Sequence, residues 1–165
     1  MAITPTTLGA VINGLTAVIQ NLTPTSIVTQ KFRRCERERG LREWAAAGAG
    51  EAIFRQFEIV RAGPREDPGV IDPTATLTTR ELSLLVAYPA RLTGFFGPEH
   101  REDLGDVIDQ DSSQLWAAIF DSANLVVGAN AYIPQVTETD TSDPDAWFLD
   151  VRIRVTWFES TDLIT

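Results

Sequence analysis

From Trp147 to Glu159 the chain alternates without a break. Leu149, Val151, Ile153, Val155 and Trp157 take one side, while Phe148, Asp150, Arg152, Arg154 and Thr156 take the other. A period of two over so many residues defines a strand with one apolar face and one mostly charged face. Such a strand belongs to a sheet covered on one side and open, or in contact with another subunit, on the other. That requirement favours antiparallel pairing and disfavours a doubly wound parallel sheet, whose strands are apolar on both faces.

The rest of the chain supplies partners for this strand. Residues 7–22 place Leu8, Val11, Ile12, Leu15, Val18, Ile19 and Leu22 on one helical face, with Thr6 or Thr7 available as the cap and Pro24 as the stop. The opposite face holds Gly9, Asn13, Gly14, Thr16 and Gln20 and no charge. It fits against another subunit or against a flat surface of the same chain. Alternation predicts strands over Ser26–Arg34, Ala52–Arg61, Thr74–Tyr88 and Asn124–Val136. A second helix is expected from Glu99 to about Ser122, with Leu104, Val107, Ile108, Leu115, Ile119 and Phe120 inward and Asp111-Ser112 interrupting the apolar face. A short helix is expected near Leu41–Ala47.

Glycine and proline predict loops near 35–50, at Gly63–Gly69 within 62–73, and at 137–146. Short connections make hairpins of the second and third strands and of the last two. The expected fold is α+β: a mostly antiparallel sheet of four to five strands packed with two helices, in one domain spanning 1–165. At 165 residues and 18.2 kDa the chain can bury a core of its own, about 69% of its unfolded surface. No run is long enough for a membrane span, and the start of the chain lacks the pattern of a secretory signal. With Cys35 as its one cysteine, it forms no internal disulfide and fits synthesis in a reducing cytoplasm.

Charge is unevenly placed. The formal net charge is -9, yet residues 1–98 hold 11 basic and 9 acidic side chains, against 3 and 14 in 99–165. Lys31, Arg33, Arg34, Arg37, Arg39 and Arg42 are concentrated within thirteen residues, with Glu36, Glu38 and Glu43 among them. Opposite-sign halves suit copies that meet head to tail, and an unevenly solvated surface gives the same composition. The overall negative charge opposes phosphate binding and so disfavours a DNA-reading role.

Catalytic patterns find little support. His100, with Glu99, Asp103 and Asp106, has the spacing of a metal site, but an acidic helix start beside a surface histidine has it too. Ser112 and Ser113 lie about three turns from that histidine, too far to share its proton. Cys35 lies in a basic stretch, the setting of a reactive thiol, although a half-buried filler is the simpler role for a lone cysteine. Gly48-Ala49-Gly50 lacks the lysine and hydroxyl residue of a phosphate loop. Asp140, Asp143, Asp145 and Asp150 lack the spacing of a calcium loop. Trp44, Trp116, Trp147 and Trp157 are not interleaved with basic residues as stacking platforms are. The expectation is therefore no cofactor, no metal and no catalytic set.

The order of elements resembles the tail-terminator and neck (tail-completion) proteins of long-tailed bacteriophages and related prophage particles. The resemblance is carried by the opening helix Leu8–Leu22, the segment Arg80-Glu81-Leu82-Ser83-Leu84-Leu85-Val86-Ala87-Tyr88, the helix core Leu104, Asp106-Val107-Ile108, Asp111 and Leu115, and the final strand Leu149–Glu159. The Cys35–Gly50 segment is longer than that family has between its early strands. The resemblance implies a non-enzymatic virion subunit assembled in the host bacterial cytoplasm. It implies a ring, typically hexameric, at the head-proximal end of the tail, stopping tube growth and joining tail to head connector. The implied partners are further copies of the chain, the tail-tube protein and a head-completion or connector protein, with DNA passing through unbound. On that expectation Arg33, Arg34, Arg37, Arg39 and Arg42 face a neighbouring copy. Asp103, Asp106, Asp109, Glu138 and Asp140 face the lumen or rim, where negative charge keeps DNA from sticking. Rival readings are another neck, head-closure or tail-tube component, and a small cytoplasmic α+β enzyme.

Overall fold

The computed structural model describes residues 3–26, 28, 30–72, 75–90 and 101–160, with the side chains of 67–72, 101 and 102 outside the description. The fold is α+β. Helix α1 (Leu8–Asn21) is followed by a two-residue strand β1 (Arg33–Arg34), helix α2 (Leu41–Ala46) and a 3-10 turn at Gly50–Ile53. Strands β2 (Gln56–Asp72) and β3 (Ala75–Pro89) precede helix α3 (Arg101–Phe120), and β4 (Ala129–Asp140) and β5 (Ala146–Ser160) complete the order. One sheet runs β1-β2-β3-β5-β4, antiparallel throughout except for the parallel β1–β2 pair.

The alternation of β5 decides how the layers stack. Leu149, Val151, Ile153, Val155 and Trp157 join Leu82, Leu84, Val86 and Tyr88 of β3 under α1 and α3, forming the main core. On the other sheet face, Leu85, Ala87, Ala146 and Phe148 pack beneath Leu41 and Ala45 of α2 and Ile53. The remainder of that face is charged and internally neutralised. Ser83 donates to Asp150 at 2.6 Å, and Arg152 lies 3.3 Å from both Glu81 and Asp150.

Thr7 caps α1, its Oγ1 accepting from the Ala10 amide at 3.2 Å. One of the two glycines on the uncharged face of this helix has a partner within the chain: a Cβ on Gly14 would meet Val126 Cγ1 at 2.1 Å. Gly14 therefore exists to admit Val126, which ends the ambiguity for that position.

Several sequence expectations need correction. The loop expected at 62–73 is strand: β2 continues to Asp72 and pairs with β3 as far as Asp72↔Ala75. Pro64 and Pro68 fall where the register shifts, between Arg61 and Arg65 and between Glu66 and Gly69. Bulges absorb prolines that a regular ladder would reject. The strand expected over Ser26–Arg34 shrinks to Arg33–Arg34, with Ile27 and Thr29 outside the described residues. Its upstream carbonyls are taken by a side chain, as shown below. The strand expected from Ala52 starts at Gln56, because the 3-10 turn and Arg55, at φ +54°, precede it. The strand expected from Asn124 starts at Ala129, after a 3-10 turn that Asp121 caps and Gly128 at φ +89°. The 137–146 loop contracts to 141–145 between β4 and β5, and the loop region at 35–50 contains α2. That helix is the short one expected near Leu41–Ala47, beside the two longer helices α1 and α3. Residues 91–100, with Glu99 at the expected start of the second helix, lie outside the described residues.

Candidate functional site

The basic segment emerges at one edge of the sheet. Phe32 is buried and pins the chain, and the Arg33 amide donates to Arg55 O at 3.0 Å while the Cys35 amide donates to Phe57 O at 2.7 Å. These two bonds hold β1 against β2 and leave both arginine side chains exposed. Arg33, Arg34 and Arg37 line a groove of about 420 Å³ with Gln20, Glu36, Trp44 and Gln56. The Arg37 guanidinium sits 4.8 Å from the centre of the Trp44 ring, a cation–π contact at its wall.

The five arginines of interest divide in two. Arg39 reaches Glu43 one turn away at 3.2 Å, an exposed pair of little energetic weight. Arg42 lies 4.5 Å over the Phe148 ring and bridges to Asp140 at 3.1 Å. Arg33, Arg34 and Arg37 have no carboxylate partner among the described residues.

The acids divide in the same way. Asp140 is engaged at home: Ser142 donates to it through both hydroxyl and amide, and Arg42 adds a third bond. These contacts, the Ser142 hydroxyl first, hold its carboxyl down at about 2. Sequence reasoning put Arg42 and Asp140 on separate surfaces, and here they meet within one chain. Glu138 is exposed on β4. Asp103, Asp106 and Asp109 are exposed along α3 and have no basic partner among the described residues. Helix α3 packs over β4 and β5, and its middle also reaches the segment before β1, where Gln114 donates to Thr23 O and accepts from the Thr25 amide and Asp111 holds Arg55. The unpaired acids thus lie on a helix above the sheet and the unpaired bases in and after the edge strand β1.

Sequence reasoning missed a third feature, buried between the sheet and α3. Arg55 is fully buried and grips Asp111 with two bonds, Nε to Oδ2 and Nη2 to Oδ1, each 2.8 Å. Its remaining protons go to Val28 O at 2.6 Å, Gln30 O at 2.7 Å and Ser26 Oγ at 2.7 Å. All five guanidinium donors are used. Tyr88 donates its hydroxyl to Asp111 Oδ2 at 2.7 Å, and the rings of Phe54 and Phe32 flank the cation at 5.1 and 5.4 Å. Burial pushes the Asp111 carboxyl up, and the Arg55 contacts pull against it. Burial raises Tyr88 well above the ordinary phenol value. This cluster also explains why Val28 and Gln30 are not in a strand: their carbonyls face a guanidinium instead of a ladder. The signal was an arginine inside Ile53-Phe54-Arg55-Gln56-Phe57 and an aspartate on the apolar face of α3, each anomalous alone and complementary together.

His100 and Glu99 lie outside the described residues. Among the described residues no group of three histidine, cysteine or acidic side chains is placed to hold a metal ion. Cys35 is half-buried against the smaller core. Trp157 is buried, Trp116 donates to Thr137, and Trp147 packs on the main core. Among the described residues no helix is long and apolar enough to cross a membrane.

No protein-family model matches the chain, and no curated protein does. Among solved structures it is similar to a chain described as the virion of native gene transfer agent (GTA) particle, at 13% identity and a TM-score of 0.42. That similarity covers 62% of this chain and 68% of the other.

Proposed function

We propose that this chain is a structural subunit of a phage-like virion, closing into a ring at the head-proximal end of the tail. There it ends tail-tube growth and joins the tail to the head connector. The observation that carries this reading is unpaired charge of opposite sign on two separate elements among the described residues, Arg33, Arg34 and Arg37 in and after β1 and Asp103, Asp106 and Asp109 on α3. Two different, complementary patches on one subunit make a head-to-tail contact, which closes into a ring when the rotation between copies divides a full turn. The elements that carry the resemblance to tail-terminator and neck proteins, α1, β3, α3 and β5, also contribute to one core. In this reading Glu138 and the 141–145 turn beside it border the DNA passage, whose negative charge repels the polymer. No bond is made or broken, so the reading needs no cofactor.

The experiment is tube growth in vitro. Added to polymerising tail-tube protein of the same particle, the chain is expected to yield shorter tubes capped at one end, seen by negative-stain microscopy. Tubes of unchanged length without caps would contradict the terminator role. Incorporation of the chain along the tube would make it a tube subunit instead.

A further inference from the structure

Matching the charges within the chain leaves two clusters over. Glu43 is taken by Arg39, Asp140 by Arg42, Glu81 and Asp150 by Arg152, Glu66 by Arg154, Glu159 by Arg65 and Asp111 by Arg55. Glu58 accepts from the Leu41 amide, and Asp121 and Asp143 cap turns through the amides of Ala123 and Asp145. What remains without a basic partner, as a run on one element among the described residues, is Asp103, Asp106 and Asp109 on α3. What remains on the basic side as a cluster is Arg33, Arg34 and Arg37 around one groove, whose lining holds a single acid, Glu36.

Resting on the ring reading above, we infer that the groove of Arg33, Arg34 and Arg37 receives the acidic stripe of α3 from the next copy of this chain. The acids occur at every third residue, spanning about 9 Å of helix, and all three are exposed. Arginine forks suit carboxylates because they bind them through two parallel bonds. Trp44, already under Arg37, gives the groove one apolar wall. Among the described residues the groove and the stripe make no ion pair with each other within one chain, so a second copy supplies the match. The stripe thus leaves the lumen and enters the seam.

A charge exchange tests this. One variant carries Arg33→Glu, Arg34→Glu and Arg37→Glu, and the other carries Asp103→Arg, Asp106→Arg and Asp109→Arg. Every position is exposed, and circular dichroism and melting confirm that both variants are folded. Alone, each presents like charges across the seam. Its association, read by sedimentation, is expected to weaken about 100-fold or more, since like-charge juxtaposition costs several kcal/mol. Mixed in equal amounts, every seam is again attractive, glutamate against the new arginines and native arginine against native aspartate, and the ring is expected to return. Either variant closing a ring by itself overturns the docking and leaves the ring reading standing. So does a mixture that stays monomeric while the wild type closes. A wild-type chain that never closes overturns the ring reading itself.

Discussion

Replacing Arg55 with methionine is expected to lower the unfolding free energy by about 3–5 kcal/mol, the cost of stranding one partner of a buried ion pair. The cost is set by what stays behind. Asp111 is at zero exposure and would keep only the Tyr88 hydroxyl. Val28 O and Gln30 O would lose a donor in the same step. Replacing both members, Arg55→Met with Asp111→Leu, is expected to recover much of the loss, because exchanging a buried pair for apolar volume is often close to neutral. The Arg55→Met deficit should also shrink on acidification. Without the guanidinium, burial is opposed only by the Tyr88 hydroxyl, and the folded pKa of Asp111 rises further above the unfolded 3.8. A raised carboxyl contributes stability that is fully present below the unfolded pKa and lost as pH rises through the folded one. Urea unfolding at several pH values measures both effects. A loss below about 1 kcal/mol at neutral pH would mean that water replaces the guanidinium.

Gly128→Ala is expected to have the second largest effect. Gly128 sits at φ +89°, where an L side chain is strained, at about 1–3 kcal/mol. An added Cβ would also lie 2.6 Å from Thr4 O and 2.8 Å from Thr6 Cβ. That neighbourhood ties the start of the chain to its last strand: the Thr6 amide donates to Phe158 O at 2.7 Å, and the Phe158 amide donates to Gly128 O at 2.9 Å. Gly48→Ala is the control, because Gly48 has φ +84° but nothing within 4 Å of its added Cβ. Denaturation should show Gly128→Ala as the more damaging of the two, and hydrogen exchange should show the Thr6 amide losing protection only there. Equal losses would mean that the contact with residues 4–6 adds nothing to backbone strain.

What could be read beforehand follows from period and spacing. The alternation of β5 and the helical repeat of α1 announced their elements because each buries one face, and the burial pattern must be written into the side chains. Loops resisted because proline and glycine also mark bulges, and the β2–β3 hairpin carries Pro64 and Pro68 through register shifts. The segment from Ser26 has the composition of a strand, yet Arg55, far along the chain, claims its carbonyls. No local window contains that competition. The basic cluster was visible in the sequence. Its division into Arg39 and Arg42 with home partners, and Arg33, Arg34 and Arg37 without, depends on which strands and turns fold beside it.

The claim that complementary charged patches close copies of the chain around an axis is tested most directly by native mass spectrometry of the purified protein over a concentration series. The account predicts one closed species at a fixed whole-number multiple of 18.2 kDa, six by resemblance to the tail-terminator proteins, with no larger members. A species that stays at 18.2 kDa throughout, or a ladder that grows without limit, would contradict it.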